Sequence, residues 1–284
     1  METTSGTLYV VGTPIGNLED MTFRAVRTLQ AVDAIAAEDT RHTGKLLQHF
    51  QIQTPQISCH QHNWPSRLPD LLERLRAGQH IALVTDAGMP GISDPGVEVI
   101  QACIQADIPV VPIPGPTAAI TALSASGLPT DRFCFEGFLP AKGAMRRDRL
   151  LALQPETRTL ILYEAPHRLR QTLQDLSEVL GPERSIVVSR ELTKRYETFW
   201  RGSLAEAIAY FTTEDPRGEF TLVVAGFVPQ TTVASPEAIC KALQQLLDQG
   251  QSRSQASRTV AKALNWSRRE VYQLALSLDV TSQP

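Results

Sequence analysis

Three short apolar runs, Thr7 to Val11, Ile81 to Val84 and Ile108 to Val111, each lead straight into a loop rich in glycine and proline, and a helical pattern follows. The loops are Gly12-Thr13-Pro14-Ile15-Gly16-Asn17, the dozen residues from Thr85 to Gly96, and Pro112-Ile113-Pro114-Gly115-Pro116-Thr117. Strand, loop and helix repeated in this order predict a mostly parallel sheet with helices on both faces. In such a sheet, small molecules bind beyond the carboxyl ends of the strands. Glycine and proline there fix the backbone and bring main-chain N–H and C=O groups close to a ligand. A tight turn accounts for one loop of this kind; three placed alike point to a ligand site. None is a G-x-G-x-x-G fingerprint or a Walker loop, which argues against a nucleotide-phosphate cradle.

Composition narrows the class. With 284 residues and 42% hydrophobic content the chain can bury a substantial core. A formal charge of -3 and a pI of about 6.1 leave any nucleic-acid contact to local patches. Cys59, Cys103, Cys134 and Cys240 lie far apart without a CxxC pair, which fits reduced thiols in the cytoplasm. There is no charged-then-apolar leader and no apolar run of the length a membrane span requires, so a cytoplasmic protein without membrane contact is expected. Cys59-His60-Gln61-His62 lacks a partner at metal-ligand spacing, and no metal is expected.

Between the loops, Thr22 is placed to cap a helix reaching about Leu29, and Ala31 to Ala37 reads as a strand. That strand ends in Glu38-Asp39-Thr40-Arg41-His42, a helix cap in which Arg41 is a candidate substrate contact. Helices are predicted over about 44–50, 68–77, 97–106 and 118–125, the last built of small residues. Gly127 to Thr130 reads as a boundary. Beyond it, Phe133 to Phe138 and Thr159 to Tyr163 read as strands, and Pro166 opens a helix to Leu180. Ser185 to Ser189 and the stretch between Gly218 and Gly226 are further strands. Leu139 to Arg149 reads as a flexible basic loop carrying Lys142, Arg146, Arg147 and Arg149. With Arg190, these are candidates for gripping a phosphate backbone, although a solvated charge run explains them equally well. After Ser235 only helices are predicted, separated at Gly250-Gln251-Ser252 and Asn265-Trp266, a tail suited to packing or dimer support. The predicted domains are 1–128, 129–230 and 231–284.

The loops taken together, with Ala36-Ala37-Glu38-Asp39-Thr40-Arg41, resemble the tetrapyrrole-methylase superfamily. Gly127 to Phe133, Tyr163 to Leu169, Arg190 to Lys194 and Gly218-Glu219-Phe220 extend the likeness to its branch that methylates the ribose 2'-hydroxyl of a cytidine in small-subunit ribosomal RNA. The resemblance covers nearly the whole chain and thins after about Gly226. It implies an α/β fold of the class III methyltransferase type, with S-adenosylmethionine in a cleft between two α/β domains, a small helical tail, and homodimerisation. Carried over by motif, the cofactor residues would be Pro14, Ile15 and Gly16; Asp86, Ala87, Gly88, Met89, Pro90, Ile92 and Ser93; and Ile113, Pro114, Gly115, Thr117 and Ala118. Ile92 and Ile113 would pack on the flat base. Met89 and Ala165 depart from the family pattern. Candidate general bases for the ribose hydroxyl are Glu164, Glu191 and Lys194, each at a strand end of the second domain; an ion pair or helix cap explains the same residues. A tetrapyrrole or protein substrate, or a non-catalytic module assisting ribosome assembly, are the alternatives.

Overall fold

A computed structural model describes residues 5–228, 235–264 and 266–278. The chain divides into a larger compact unit reaching Phe227 and a smaller one from Val228. The boundary predicted at residue 230, and Asn265 in the predicted helix break, lie outside the described residues. No helix among the described residues is long and apolar enough to cross a membrane.

The larger unit contains two five-stranded sheets. In the first, β1 (Leu8–Val11), β2 (Ala34–Ala37), β3 (Gln56–Ser58), β4 (Ile81–Val84) and β5 (Val110–Ile113) run parallel in the order β3-β2-β4-β1-β5. Every residue of β2 and β4 is buried, because helices cover both faces of the sheet; the strands are therefore continuous apolar runs without alternation. Those helices are α1 (Phe23–Ala31), α2 (Thr40–His49), α3 (Trp64–Arg76) and α4 (Val97–Gln105); α5 (Ala118–Ser126) follows β5. Thr22 caps α1 by accepting the Ala25 N–H at 3.0 Å, and Asp39 caps α2 by accepting the Arg41 N–H at 2.8 Å. One core cluster joins Leu29, Ile35, Leu47 and Ile113, and another joins Leu8, Leu71, Leu83 and Val99. Strands β1 and β4 are neighbours at the middle, and their connections leave in opposite directions. The crevice of an α/β sheet opens at such a place.

The second sheet is mixed. Its strands are β6 (Phe133–Phe138), β7 (Thr159–Glu164), β8 (Ser185–Arg190), β9 (Thr198–Ser203) and β10 (Phe220–Val224), in the order β6-β7-β10-β8-β9. Only β6 and β7 are parallel; the other pairs are antiparallel. On one face lie α6 (Gly143–Leu153), α7 (Pro166–Leu180) and α8 (Leu204–Thr213), packed around Leu150, Leu162, Leu173 and Phe211. On the other lies α5, whose Ala119, Ala122 and Leu123 pack against Ile161, Val187 and Val223. Helix α5 follows β5 of the first sheet directly and packs on the second, so the loops at the carboxyl edge of the first sheet face the second.

Two features correct the sequence reading. The stretch expected as a flexible basic loop is helical from Gly143, because Arg146, Leu150 and Leu153 form a buried stripe at helical spacing. Strands β3 and β9 and helix α8 fill regions with no element predicted; a capping box between Ser203 and Glu206 starts α8.

The smaller unit holds α9 (Pro236–Asp248), α10 (Arg253–Ala263) and α11 (Arg268–Ser277) around Ile239, Leu243, Val260 and Val271. Ser235 and Ser252 cap the first two helices through their hydroxyls.

Candidate active site

The three glycine-proline loops meet at the carboxyl ends of β1, β4 and β5. Thr13 and Gly88 exchange backbone hydrogen bonds of 2.9 and 3.0 Å, tying the β1 loop to the β4 loop. Gly12 and Gly115 bring the β1 and β5 loops into backbone contact. A Cβ on Gly12 would lie 2.7 Å from Gly115 Cα, closer than any side chain permits. The Thr13 hydroxyl donates to the Thr85 carbonyl at 3.0 Å, completing a rigid floor.

Above this floor is a cavity of about 330 Å³, within the range of small-molecule sites. The first sheet contributes Ile15, Ala87 to Met89, Ile92 to Asp94, Thr117 and Ala118; the second contributes Phe138, Tyr163 to Pro166, Leu192 and Glu219 to Thr221. Tyr163 links the walls, its phenolic oxygen accepting the Ala119 N–H at 3.1 Å. Burial pushes the Tyr163 hydroxyl above its ordinary range, so it stays protonated at neutral pH.

The electrostatics of the cavity are one-sided. Its lining includes Asp94, Glu164 and Glu219, and no lysine, arginine or histidine among the described residues. An apolar slot edged by carboxylates suits a flat aromatic ring attached to a cationic group, and both parts are present in S-adenosylmethionine. The residues present therefore fit the cofactor that the resemblance implies.

The three predicted general bases occupy different settings. Glu164 is 2% exposed. It accepts from the Thr172 hydroxyl at 2.6 Å and the Ala165 N–H at 2.9 Å, and pairs with Arg168 at 3.3 Å. Glu191 accepts from the Glu219 N–H at 2.9 Å and from Lys194 at 3.0 Å. Burial alone would raise the Glu191 carboxyl; these donors outweigh it and hold the group below its ordinary value. Lys194 also donates to Glu219 at 2.6 Å. Burial works against its charge, but its two carboxylate partners raise it above the ordinary lysine value, so it remains a cation. Glu164 thus accepts on both carboxyl oxygens, Glu191 accepts two bonds on one oxygen, and Lys194 is a charged donor.

The predicted cofactor residues separate into three groups. Ile15, Ala87, Gly88, Met89, Ile92, Ser93, Thr117 and Ala118 line the cavity. Pro14, Gly16 and Asp86 border a neighbouring cavity of about 250 Å³, beside His42 and Lys45. Pro90, Ile113, Pro114 and Gly115 line neither. Ile113, expected to pack on the base, is 1% exposed and belongs to the core, because its side chain packs among Val11, Leu29 and Ile35.

The predicted RNA contacts separate as well. Arg146 is 8% exposed. Its guanidinium donates to Asp175 at 2.6 Å, Thr172 at 2.8 Å and the Pro140 carbonyl at 3.0 Å, so it is an interior tie and not a phosphate contact. Lys142 and Arg147 are exposed on the same short segment. Arg41 has 90% of its side chain exposed and is paired with Asp39 at 2.8 Å. Arg190 is half-buried and donates to the Arg217 carbonyl at 2.7 Å. Asp94, Phe138, Tyr163, Leu192 and Glu219 are cavity residues to which the sequence reading assigned no role. Phe138, Tyr163 and Glu219 sit at strand ends facing the first sheet, a position that a sequence supplies only once the pairing of the two sheets is known.

Residues 7–208 match the model of the family described as Tetrapyrrole (Corrin/Porphyrin) Methylases. The chain is 60% identical over 275 residues to the "Ribosomal RNA small subunit methyltransferase I" of Synechocystis sp., covering 96% of this chain and 99% of that one. It is 48% identical over 280 residues to the protein of the same name from Pasteurella multocida, covering 97% and 99%. Among solved structures, it is similar to a uroporphyrin-III-C-methyltransferase from Thermus thermophilus. That likeness has a TM-score of 0.57 and 25% identity, covering 78% of this chain and 94% of the other. A cobalt precorrin-4 methyltransferase shares the fold, with a TM-score of 0.60 at 17% identity and coverage of 77% and 94%.

Proposed function

Because this chain belongs to the tetrapyrrole (corrin/porphyrin) methylase family, we propose that it is a methyltransferase using S-adenosylmethionine to methylate small-subunit ribosomal RNA, at the ribose 2'-oxygen of a cytidine. The substrate class rests on near-full-length identity to chains that carry that name. The observation that supports it physically is the contrast between a cavity lined by carboxylates and the exposed Lys142 and Arg147, which follow closely on the cavity residue Phe138. The cavity suits a cationic cofactor, and the basic segment suits a polyanion.

S-adenosylmethionine, when bound, supplies a methyl group made electrophilic by the adjoining sulfonium. The chain's own part is mostly alignment and exclusion of water. Ile92 and Leu192 form apolar walls on opposite sides of the cavity, and Phe220 closes it from the second sheet. Asp94 and Glu219 offset positive charge. The bonds between Thr13 and Gly88 keep two cofactor loops from moving apart. Reaction in the cytoplasm and pairing of two copies belong to the same proposal; light scattering reads the pairing.

The test is transfer of labelled methyl from S-adenosylmethionine to small subunits from cells lacking this protein, followed by nuclease digestion. Label on 2'-O-methylcytidine is the expected result. Label on a base would overturn the site of methylation. Transfer to a free tetrapyrrole and not to subunits would overturn the substrate.

A further inference from the structure

Asp94 differs from every other carboxylate at the cavity. Glu164 accepts from Thr172 and Ala165, and Glu219 is held by Lys194. Asp94 has no such partner among the described residues: burial and three carboxylates act on it, with no hydrogen bond among these influences. It lines the cavity from the β4 loop and follows Ser93, a non-glycine residue in the left-handed region at φ 61. Glu191 and Thr193, at φ 52 and 64, flank Leu192 on the opposite wall. Costly backbone of this kind persists where surrounding structure imposes it, and it concentrates at functional sites. The Ser93 hydroxyl abuts β6, since a Cβ built on Gly137 would lie 3.0 Å from it. The turn that presents Asp94 is therefore held where the two walls meet.

We infer that Asp94 is the proton acceptor for the attacking substrate hydroxyl, a role that rests on the RNA-methylation reading above. As the ribose oxygen bonds to the methyl carbon, the carbon–sulfur bond breaks and sulfur keeps its electron pair. The hydroxyl proton passes to an Asp94 carboxylate oxygen and then to solvent. A base is most effective when its proton affinity lies near the working pH. Burial, followed by the charges of Glu38, Asp86 and Glu219, raises the Asp94 carboxyl to about 6. Glu38 lies at the end of β2, Asp86 on the same loop, and Glu219 at the start of β10; Tyr163 and Glu164 face the same cavity from β7. Lys194, the nearby cation of the second sheet, is engaged by Glu191 and Glu219.

The test compares the natural chain with Asp94→Asn in single-turnover methyl transfer to small subunits at saturating cofactor, from pH 5 to 8. Cofactor affinity is measured by calorimetry. The natural chain's rate is expected to rise with pH and level off at or below about 6, because the bound cofactor's positive charge favours the carboxylate. With cofactor saturating, so that any weakening of its binding is compensated, the variant should lose about 10²- to 10⁴-fold in rate and lose the rising limb. A readout independent of turnover is the unfolding temperature of the cofactor-free protein: its fall between pH 5 and 8 should be smaller in the variant. A variant with the natural rate and pH profile overturns the proposal. So does a loss confined to cofactor affinity, with the saturated rate unchanged. No transfer by the natural chain itself overturns the RNA reading together with the role resting on it, which distinguishes that failure from a failure of Asp94 alone.

Discussion

The two sheets of the larger unit build their sides of the cavity by different means. The parallel sheet fixes its side with backbone: its three loops meet through Thr13–Gly88 hydrogen bonds and the Gly12–Gly115 contact. The mixed sheet works with paired side chains. Glu164 is held by Thr172 and Arg168, and Glu191 and Glu219 by Lys194. Parallel strands end together at one edge, so their following loops are collected there and can be shaped by glycine and proline. Antiparallel strands end alternately at both edges, so fewer loops reach the cavity and long side chains must cover the remaining distance. A ligand that is alike across a family suits the first means. A substrate that differs between branches suits the second, because side chains change without disturbing a floor.

The sharpest way to break the second half of that contrast is at Arg146. Arg146→Ala would leave Asp175 and Thr172 without their buried partner, with an expected loss of about 3–5 kcal/mol in denaturant unfolding. Arg147→Ala, one residue away and exposed, should change stability by no more than about 0.5 kcal/mol. Equal effects would remove the distinction between interior tie and surface cation. The first half is broken at Gly115→Ala. The added Cβ would meet Gly12 Cα at 2.7 Å, main chain against main chain, and one of the two loops must move. The expected cost is about 1–3 kcal/mol, with weakened cofactor binding by calorimetry. Replacing Lys142 and Arg147 with glutamine should leave cofactor affinity unchanged. It should flatten the dependence of log RNA affinity on log salt by roughly 0.7 for each single-strand phosphate that is no longer neutralised.

The same contrast explains which parts were legible in the sequence. Glycine and proline restrict backbone directly, so the three loops and the strands leading into them are recognisable from composition alone, and α1, α2 and α7 follow from caps and an opening proline. The side-chain half was less legible. In 139–149 the basic residues hide a buried stripe, because Arg146 occupies a core position that sequence patterns reserve for apolar residues. Its charge is tolerated through a partner far along the chain, Asp175, and no local pattern announces such a partner. Ile113 looks like a base-stacking residue by its place beside a loop, but it ends β5 with its side chain in the core beside Leu29 and Ile35. Asp86 and Asp94 lie on one loop and are indistinguishable in composition. The folded chain turns Asp94 into the main cavity and Asp86 toward the smaller one.

Asp94 is where the contrast is tested most finely, because it is a charged side chain on the backbone-built wall, and no cation among the described residues lining the cavity compensates it. Its carboxyl is raised from 3.8 to about 6 by burial, with Glu38, Asp86 and Glu219 adding to the effect. For an acid whose folded-state value lies above its unfolded one, the unfolded state gives up its proton first as pH rises. The fold then bears the cost of an uncompensated charge above about 6, and that cost disappears below 3.8, where both states are protonated. Asp94→Asn removes the charge at every pH. At pH 8 the variant should therefore be more stable than the natural chain by about 1 kcal/mol, allowing for screening of a half-exposed group by water. The difference should shrink as pH falls through 6. Equal stability at both ends of the range would mean that Asp94 is as well accommodated as Glu164 or Glu191. A variant that gains stability while losing turnover is the expected signature of a group kept in an unfavourable setting for its chemistry.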